Sequence, residues 1–289
     1  MSATQLAGES DLRRAVDEVA RFTSGRALGP DLYEVTLESR EMALRAGPGE
    51  FAQLLVSPDP VPLLRRPFSF SRADPGAGTV SFYLRAFGEG TRRLIALTPG
   101  QEVRVLGPLG RGFTLSSPPG RSLLVSGGLG AAPFPLLADR LLSGGGEVVW
   151  LNGAATSSQL YPPEMLPQGI SELVQVTEDG SQGRGGRVTD LLPALLGGVS
   201  RVYACGPNAM LAAVAAQTAA PATGPLLEVS IEAPMGCGFG TCLGCAIPLR
   251  DPASPDASPT LGLCCRQGPV LDARLVDWRR LQGQPTHLE

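Results

Sequence analysis

The stretch Ser116-Ser117-Pro118-Pro119-Gly120-Arg121-Ser122-Leu123-Leu124-Val125-Ser126-Gly127-Gly128-Leu129-Gly130-Ala131-Ala132-Pro133 divides the chain into two textures. Its first five residues read as a linker, 122–125 as a short apolar strand, and the glycines as a turn ahead of a helix-like run to Leu142. Strand, Gly-rich turn and helix in that order open a doubly wound parallel α/β unit. Downstream the alternation continues, with strands expected at 147–151, 172–176, 201–204 and 226–231 and helices at 191–196 and 209–217. Upstream, from about 19 to 115, short alternating runs (32–37, 51–56, 79–84, 102–105) are separated by Gly and Pro, the pattern of an antiparallel barrel or sandwich.

The six cysteines stand at 205, 237, 242, 245, 264 and 265, all in the last third of the chain, unlike a disulfide framework. Cys237, Cys242 and Cys245 give C-x4-C-x2-C, and with a further cysteine downstream this is the spacing of a plant-type 2Fe-2S loop. Gly236, Gly238, Gly240 and Gly244 would let the backbone wrap closely and aim amides at sulfur. The rival is a structural zinc site in a non-enzymatic binding module. Zinc normally takes two C-x2-4-C knuckles, and adjacent Cys264 and Cys265 cannot form the second, so the spacing favours iron–sulfur. In a strand-like segment those neighbours point opposite ways, so one ligates and the other is a small buried hydrophobe.

Two further sets of residues suit cofactors, although each alone also suits an ordinary turn. Arg66-Pro67-Phe68-Ser69, Tyr83-Leu84-Arg85 and Gly88-Glu89-Gly90-Thr91 fit together around a flavin. Pro67 presents backbone groups rigidly, the Ser69 hydroxyl reaches polar ring atoms, and Arg66 meets phosphate. Gly90 and Thr91 open a short helix expected at 92–97, an anion site for a pyrophosphate. Gly128, Gly130 and Pro133 in the turn after 122–125, and Cys205, Gly206 and Pro207 after 201–204, lie at C-terminal strand ends, where open α/β sheets bind nucleotides. No arginine follows Leu151-Asn152-Gly153 at once, and Glu178 and Asp179 would repel a 2′-phosphate, which favours NAD over NADP.

At 289 residues, two or three domains are expected. A net charge of −3, with 43% hydrophobic residues and scattered arginines, argues against nucleic-acid binding. Residues 1–14 include Glu9 and Asp11 without an apolar run, and 122–142 is broken by Gly, Pro and charge, so neither a secretory signal nor a membrane span is expected and the reading is cytoplasmic. The sole histidine, His287, is a solvated tail residue on this reading, and no catalytic acid–base side chain is assigned.

In this order the segments resemble the ferredoxin reductase superfamily, and specifically the electron transfer subunit of NAD-linked dihydroorotate dehydrogenase, over about 19–278. The tail carries the resemblance most strongly: Glu232-Ala233-Pro234-Met235-Gly236-Cys237-Gly238-Phe239-Gly240-Thr241-Cys242-Leu243-Gly244-Cys245, then Cys265-Arg266-Gln267-Gly268-Pro269-Val270. The family's last ligand stands three residues before Gly-Pro-Val, which implies Cys265. The resemblance implies a multidomain β plus α/β protein. Its parts would be an antiparallel FAD-binding β-barrel (1–116, with an extension to about 18), a Rossmann-like NAD-binding domain with a parallel sheet (117–225) and a small 2Fe-2S domain (226–289). It also implies that Cys205 faces the nicotinamide. The implied activity is that of an oxidoreductase subunit in pyrimidine biosynthesis, passing electrons from an FMN-bearing catalytic subunit through the cluster and FAD to NAD+ in a heterotetramer. Departures are the doubled final cysteine, a Pro- and Ser-rich insert at 251–259, and Ala131 where a more polar residue is common. The alternative within enzymes is an NAD(P)H:acceptor oxidoreductase subunit of sulfide dehydrogenase or ferredoxin:NADP type.

Overall fold

A computed structural model describes residues 12–56, 63–219, 224–254 and 258–282. Seven strands, β1 (Val16–Ala27), β2 (Leu32–Glu38), β3 (Phe51–Leu55), β4 (Arg66–Ser69), β5 (Arg72–Asp74), β6 (Thr79–Arg85) and β7 (Glu102–Leu109), pair antiparallel in the order β4-β3-β7-β1-β2-β6-β5. Strand β7 illustrates why. Val103 and Val105 are buried while Glu102 and Arg104 are exposed, the period of two that gives a sheet one dry face. That face packs Phe22, Val35, Leu54, Phe70 and Phe82 into one core. Helix α1 (Arg40–Arg45) begins at Ser39, whose Oγ accepts the Met42 N–H at 3.3 Å. The extension expected to reach residue 18 ends sooner, because Val16, Asp17 and Glu18 already pair with Gly107, Leu106 and Val105. Two acidic residues in three hide the strand pattern there.

The helix α2 (Glu89–Ile95) starts three residues before the expected 92. Thr91 Oγ accepts the Gly88 N–H at 3.1 Å and donates to Gly88 O at 3.0 Å, which closes the first turn around Gly88 instead of after Thr91.

The second sheet comprises β8 (Arg121–Gly127), β9 (Glu147–Ala154), β10 (Glu172–Thr177), β11 (Arg184–Gly185), β12 (Arg201–Cys205) and β13 (Leu226–Ser230), all parallel. Residues 122–126 of β8 are buried without a break, as expected of a strand covered on both faces by helices. Those helices are α3 (Phe134–Ser143), α4 (Val188–Leu195) and α5 (Asn208–Thr218). The strand order β11-β10-β9-β8-β12-β13 reverses direction between β8 and β12.

The chain then makes a two-stranded hairpin, β14 (Ala246–Leu249) with β15 (Thr260–Leu263), whose connection holds the 251–259 insert; 255–257 lie outside the described residues. Helix α6 (Cys264–Gln267) follows, then β16 (Val270–Asp272), which returns antiparallel to β13 with Ser230 opposite Val270, and finally α7 (Trp278–Leu281). The expected division at 225/226 therefore falls inside one sheet, between β12 and its hydrogen-bonded neighbour β13. What leaves the sheet is 231–269, and its end is tied to the first sheet: the Arg111 N–H donates to Gly268 O at 2.6 Å. Gly110, at φ +78°, admits no side chain here, since a Cβ would stand 2.5 Å from Pro269 Cδ. Among the described residues no helix is long and apolar enough to cross a membrane.

Candidate functional site

The cysteine loop leaves β13 and turns through Gly238 and Gly240, at φ +81° and +91°. Leu243, at φ +59°, is the one non-glycine residue in the left-handed region among the described residues. A residue with a Cβ pays roughly 1–2 kcal/mol for that conformation, so the loop holds local strain between Cys242 and Cys245. The loop's amides serve sulfur: Thr241 and Cys242 N–H groups point at Cys237 Sγ at 3.3 and 3.5 Å, and the Cys265 N–H points at Cys245 Sγ at 3.5 Å. Burial pushes the Cys237 thiol up, but backbone N–H groups led by that of Cys242 outweigh it and bring it down to about 7. Cys245 and Cys265 stand 3.2 Å apart, sulfur to sulfur. The hydrogen bond between them brings Cys245 down to about 6 and pushes Cys265 up, so the pair releases one proton readily and holds the second.

Cys264 and Cys265 open a helical turn instead of the expected strand, yet they still diverge. Cys264 donates its thiol to Ile231 O at 3.3 Å, and burial pushes its pKa up, as for a neutral core thiol. Cys245 meets Cys265 sulfur to sulfur, and the Cys242 N–H points at Cys237 Sγ, so the four cysteines of the motif gather in one segment with the ligand count of a 2Fe-2S centre.

Strand β4 and the start of α2 converge: a Cβ on Gly90 would lie 2.9 Å from Arg66 Nε, so the arginine side chain passes directly against the glycine. Pro67 pairs with Gln53 across β3, and Phe68 packs on Phe82 with ring centroids 6.2 Å apart. Ser69 ends β4 opposite Phe51. The second flavin segment is committed largely to packing. Leu84 lies in the barrel core, Arg85 meets Asp31 at 3.0 Å, and the Tyr83 ring sits edge-on to Tyr161 at 5.1 Å with its buried hydroxyl lacking a partner. Contact from Leu84 to a ligand would have to come through its backbone.

The two βα turns meet at the reversal between β8 and β12, the place where open α/β sheets take ligands. Gly130 lies against the second turn so closely that a Cβ would stand 2.1 Å from Cys205 O. Gly128, at φ +54°, borders open space, with nothing within 4 Å of a built Cβ. Pro133 and Pro207 cap α3 and α5. Burial pushes the Cys205 thiol up to about 12, with the Glu232 carboxylate adding to it. Farther along the strand ends, exposed Glu178 is ion-paired with Arg187 at 3.7 Å.

A family model described as the iron-sulfur cluster binding domain of dihydroorotate dehydrogenase B matches residues 232–277. Over 253 residues, 86% of this chain and 94% of the relative, the sequence is 37% identical to the dihydroorotate dehydrogenase B (NAD(+)) electron transfer subunit of Geobacillus thermodenitrificans. The chain belongs to that family. A second such electron transfer subunit, from Desulforamulus reducens, is 33% identical over 254 residues, 87% of this chain and 94% of that one. Among solved structures, NADH-dependent reduced ferredoxin-NADP oxidoreductase matches with a TM-score of 0.78 at 23% identity over 91% of both chains. An Amycolatopsis cytochrome P450 reductase matches at 0.58, 25% identical, over 70% of this chain and 65% of its own. These neighbours share the ferredoxin reductase-like fold.

Two polar residues of this electron transfer subunit escaped the sequence reading. Gln53 is 0% exposed, and neither of its carboxamide atoms has a partner. An unmet buried donor or acceptor costs about 1–3 kcal/mol, which is tolerable where a ligand completes it. Glu232, largely buried two residues past β13, has a buried Oε2 without a partner, and burial raises its pKa from 4.5 to about 7. That rise corresponds to about 3 kcal/mol favouring the protonated folded state. The stabilisation is complete below pH 4.5 and is lost as the pH rises through about 7. Glu232→Gln should therefore gain up to about 3 kcal/mol over the parent between pH 5 and pH 8. Urea unfolding of both proteins at the two pH values checks this; an equal difference at both would refute it.

Proposed function

We propose that this chain relays electrons between a dihydroorotate-oxidising catalytic subunit and NAD+. On this reading a 2Fe-2S cluster is held by Cys237, Cys242, Cys245 and Cys265. FAD lies against Arg66, Pro67, Phe68, Ser69, Gly90 and Thr91, with Tyr83, Leu84 and Arg85 behind. The nicotinamide occupies the crevice of Gly128, Gly130, Pro133, Cys205, Gly206 and Pro207. The division into a flavin unit, a nicotinamide unit and a cluster segment follows the two sheets and the excursion 231–269.

The observation that carries the reading is the 3.2 Å approach of Cys245 and Cys265, with backbone N–H groups aimed at Cys237 and Cys245, in a member of a family named for electron transfer. Bound together, the three groups supply hydride exchange at the nicotinamide, single-electron exchange at the cluster, and conversion between them at the flavin. The chain's own residues bind and orient. Amides of Thr241, Cys242 and Cys265 stabilise thiolate charge on sulfur. Arg66, passing against Gly90, offsets phosphate charge. The tight contact of Gly130 with Cys205 fixes the floor of the crevice.

A partner surface adjoins the cluster loop. Cys242 is exposed, and beside it Phe239 and Leu243 are 38% and 64% exposed, apolar side chains whose burial would favour docking a catalytic subunit. The proposed location is the cytoplasm, and the proposed assembly a heterotetramer with two copies of each subunit.

The purified protein should be brown-yellow, with flavin and iron–sulfur absorption, two irons and two acid-labile sulfides per chain, and bleaching by NADH. It should also co-purify with a co-expressed FMN-bearing dihydroorotate dehydrogenase subunit. A colourless protein containing zinc would refute the reading.

A further inference from the structure

Gln53 lies on β3 between Ala52 and Leu54, both in the barrel core, so strand alternation turns its side chain to the opposite face. Phe51, on that same face, belongs to the apolar core that also holds Cys245, Cys264 and Cys265. The cluster segment is thus what covers Gln53. The contact is close: a Cβ on Gly238, next to Cys237, would lie 2.7 Å from both Cγ and Nε2 of Gln53. Across the strand Gln53 stands opposite Pro67 of the flavin segment. A carboxamide with two donors and an acceptor is therefore sealed between the two proposed cofactor sites, with both polar atoms unmet by protein.

Resting on the relay reading above, the geometry points to Gln53 as a positioning residue of the cluster, its Nε2–H donating to the sulfur side of the 2Fe-2S group beside Gly238. An added donor stabilises the more negative, reduced state and raises the potential. A carboxamide serves better here than a longer charged side chain, because a buried ammonium or guanidinium would need a counter-charge the pocket does not offer.

The test is an EPR-monitored redox titration of the holoprotein carrying Gln53→Met or Gln53→Glu, with iron, sulfide and FAD content measured on each. Gln53→Met keeps the volume and removes the donor. It should shift the electron partition away from the cluster roughly tenfold, about 59 mV in a one-electron couple. Gln53→Glu replaces the donor with an acceptor and should shift it further in the same direction, with the flavin potential unmoved. Equal cluster potentials in all three proteins would overturn the assignment. So would a shift confined to the flavin, which would make the isoalloxazine the partner, or loss of the cluster from Gln53→Met with FAD retained, which would make Gln53 a packing element of the loop. Absence of iron and sulfide from the parent protein would instead refute the relay reading itself.

Discussion

Cys242→Ser protein is expected to keep its FAD and its bleaching by NADH while delivering electrons to the catalytic subunit roughly a hundredfold or more slowly. Cys242 is the exposed one of the four proposed ligands, and its backbone N–H also supports Cys237 Sγ at 3.5 Å. A serine hydroxyl, unlike a thiol, stays protonated near neutral pH and is a harder donor than a thiolate, so the iron it would hold is bound weakly and lost. The proposed flavin and nicotinamide residues stand on the two sheets and the turns that follow their strands, not on this loop, so NADH oxidation with a flavin-level acceptor should be unaffected. Stopped-flow reduction by NADH, followed by mixing with the catalytic subunit, separates the two steps. Undiminished delivery from a preparation proven free of iron would mean that electrons bypass the cluster.

The second large effect is expected at Gly130. An added methyl at 2.1 Å from Cys205 O and 2.7 Å from Gly206 N meets backbone, which has no rotamer to yield. Gly130→Ala should force the two βα turns apart, lowering stability by about 3 kcal/mol and the Tm by roughly 10 °C. NADH-driven flavin reduction should fall at least about tenfold with FAD content preserved, since misplacement of about 1 Å can cost a hundredfold. Gly145→Ala is the control: its Cβ enters open space away from the crevice, and only the left-handed backbone, at φ +82°, opposes it, by about 1 kcal/mol. Thermal unfolding and NADH kinetics on both variants check the contrast; equal losses would mean that the close approach of the turns is not what shapes the crevice.

Much of this organisation was legible in the sequence because it is periodic or locally spaced. The short apolar run 122–125 reads as a strand, which the structure buries on both faces, and the alternating run 102–105 reads as a strand, which the structure half-buries as β7. The spacing of Cys237, Cys242 and Cys245 marks the loop by local sequence alone. What stayed hidden depends on which distant elements touch. Gln53 within Phe51-Ala52-Gln53-Leu54-Leu55 reads as the wet side of a strand, and only the return of 231–269 across the barrel makes that side dry. Glu232 reads only as the first residue of the cysteine motif, and what the sequence hides is its burial near Cys205 and Cys264, both distant along the chain. The strands Leu226–Ser230 and Val270–Asp272 were assigned with the cysteines because they flank them, whereas hydrogen bonding joins both to the parallel sheet.

That last pairing has an architectural meaning. Ser230 and Val270 occupy the same rung of one ladder, so the chain departs and comes back at neighbouring points while the sheet beneath stays continuous. The iron–sulfur segment is thus built like a cassette spliced into a reductase body. A short turn joining those two residues would restore an uninterrupted hairpin, and a sheet in another reductase able to accept one antiparallel edge strand could receive the same insertion.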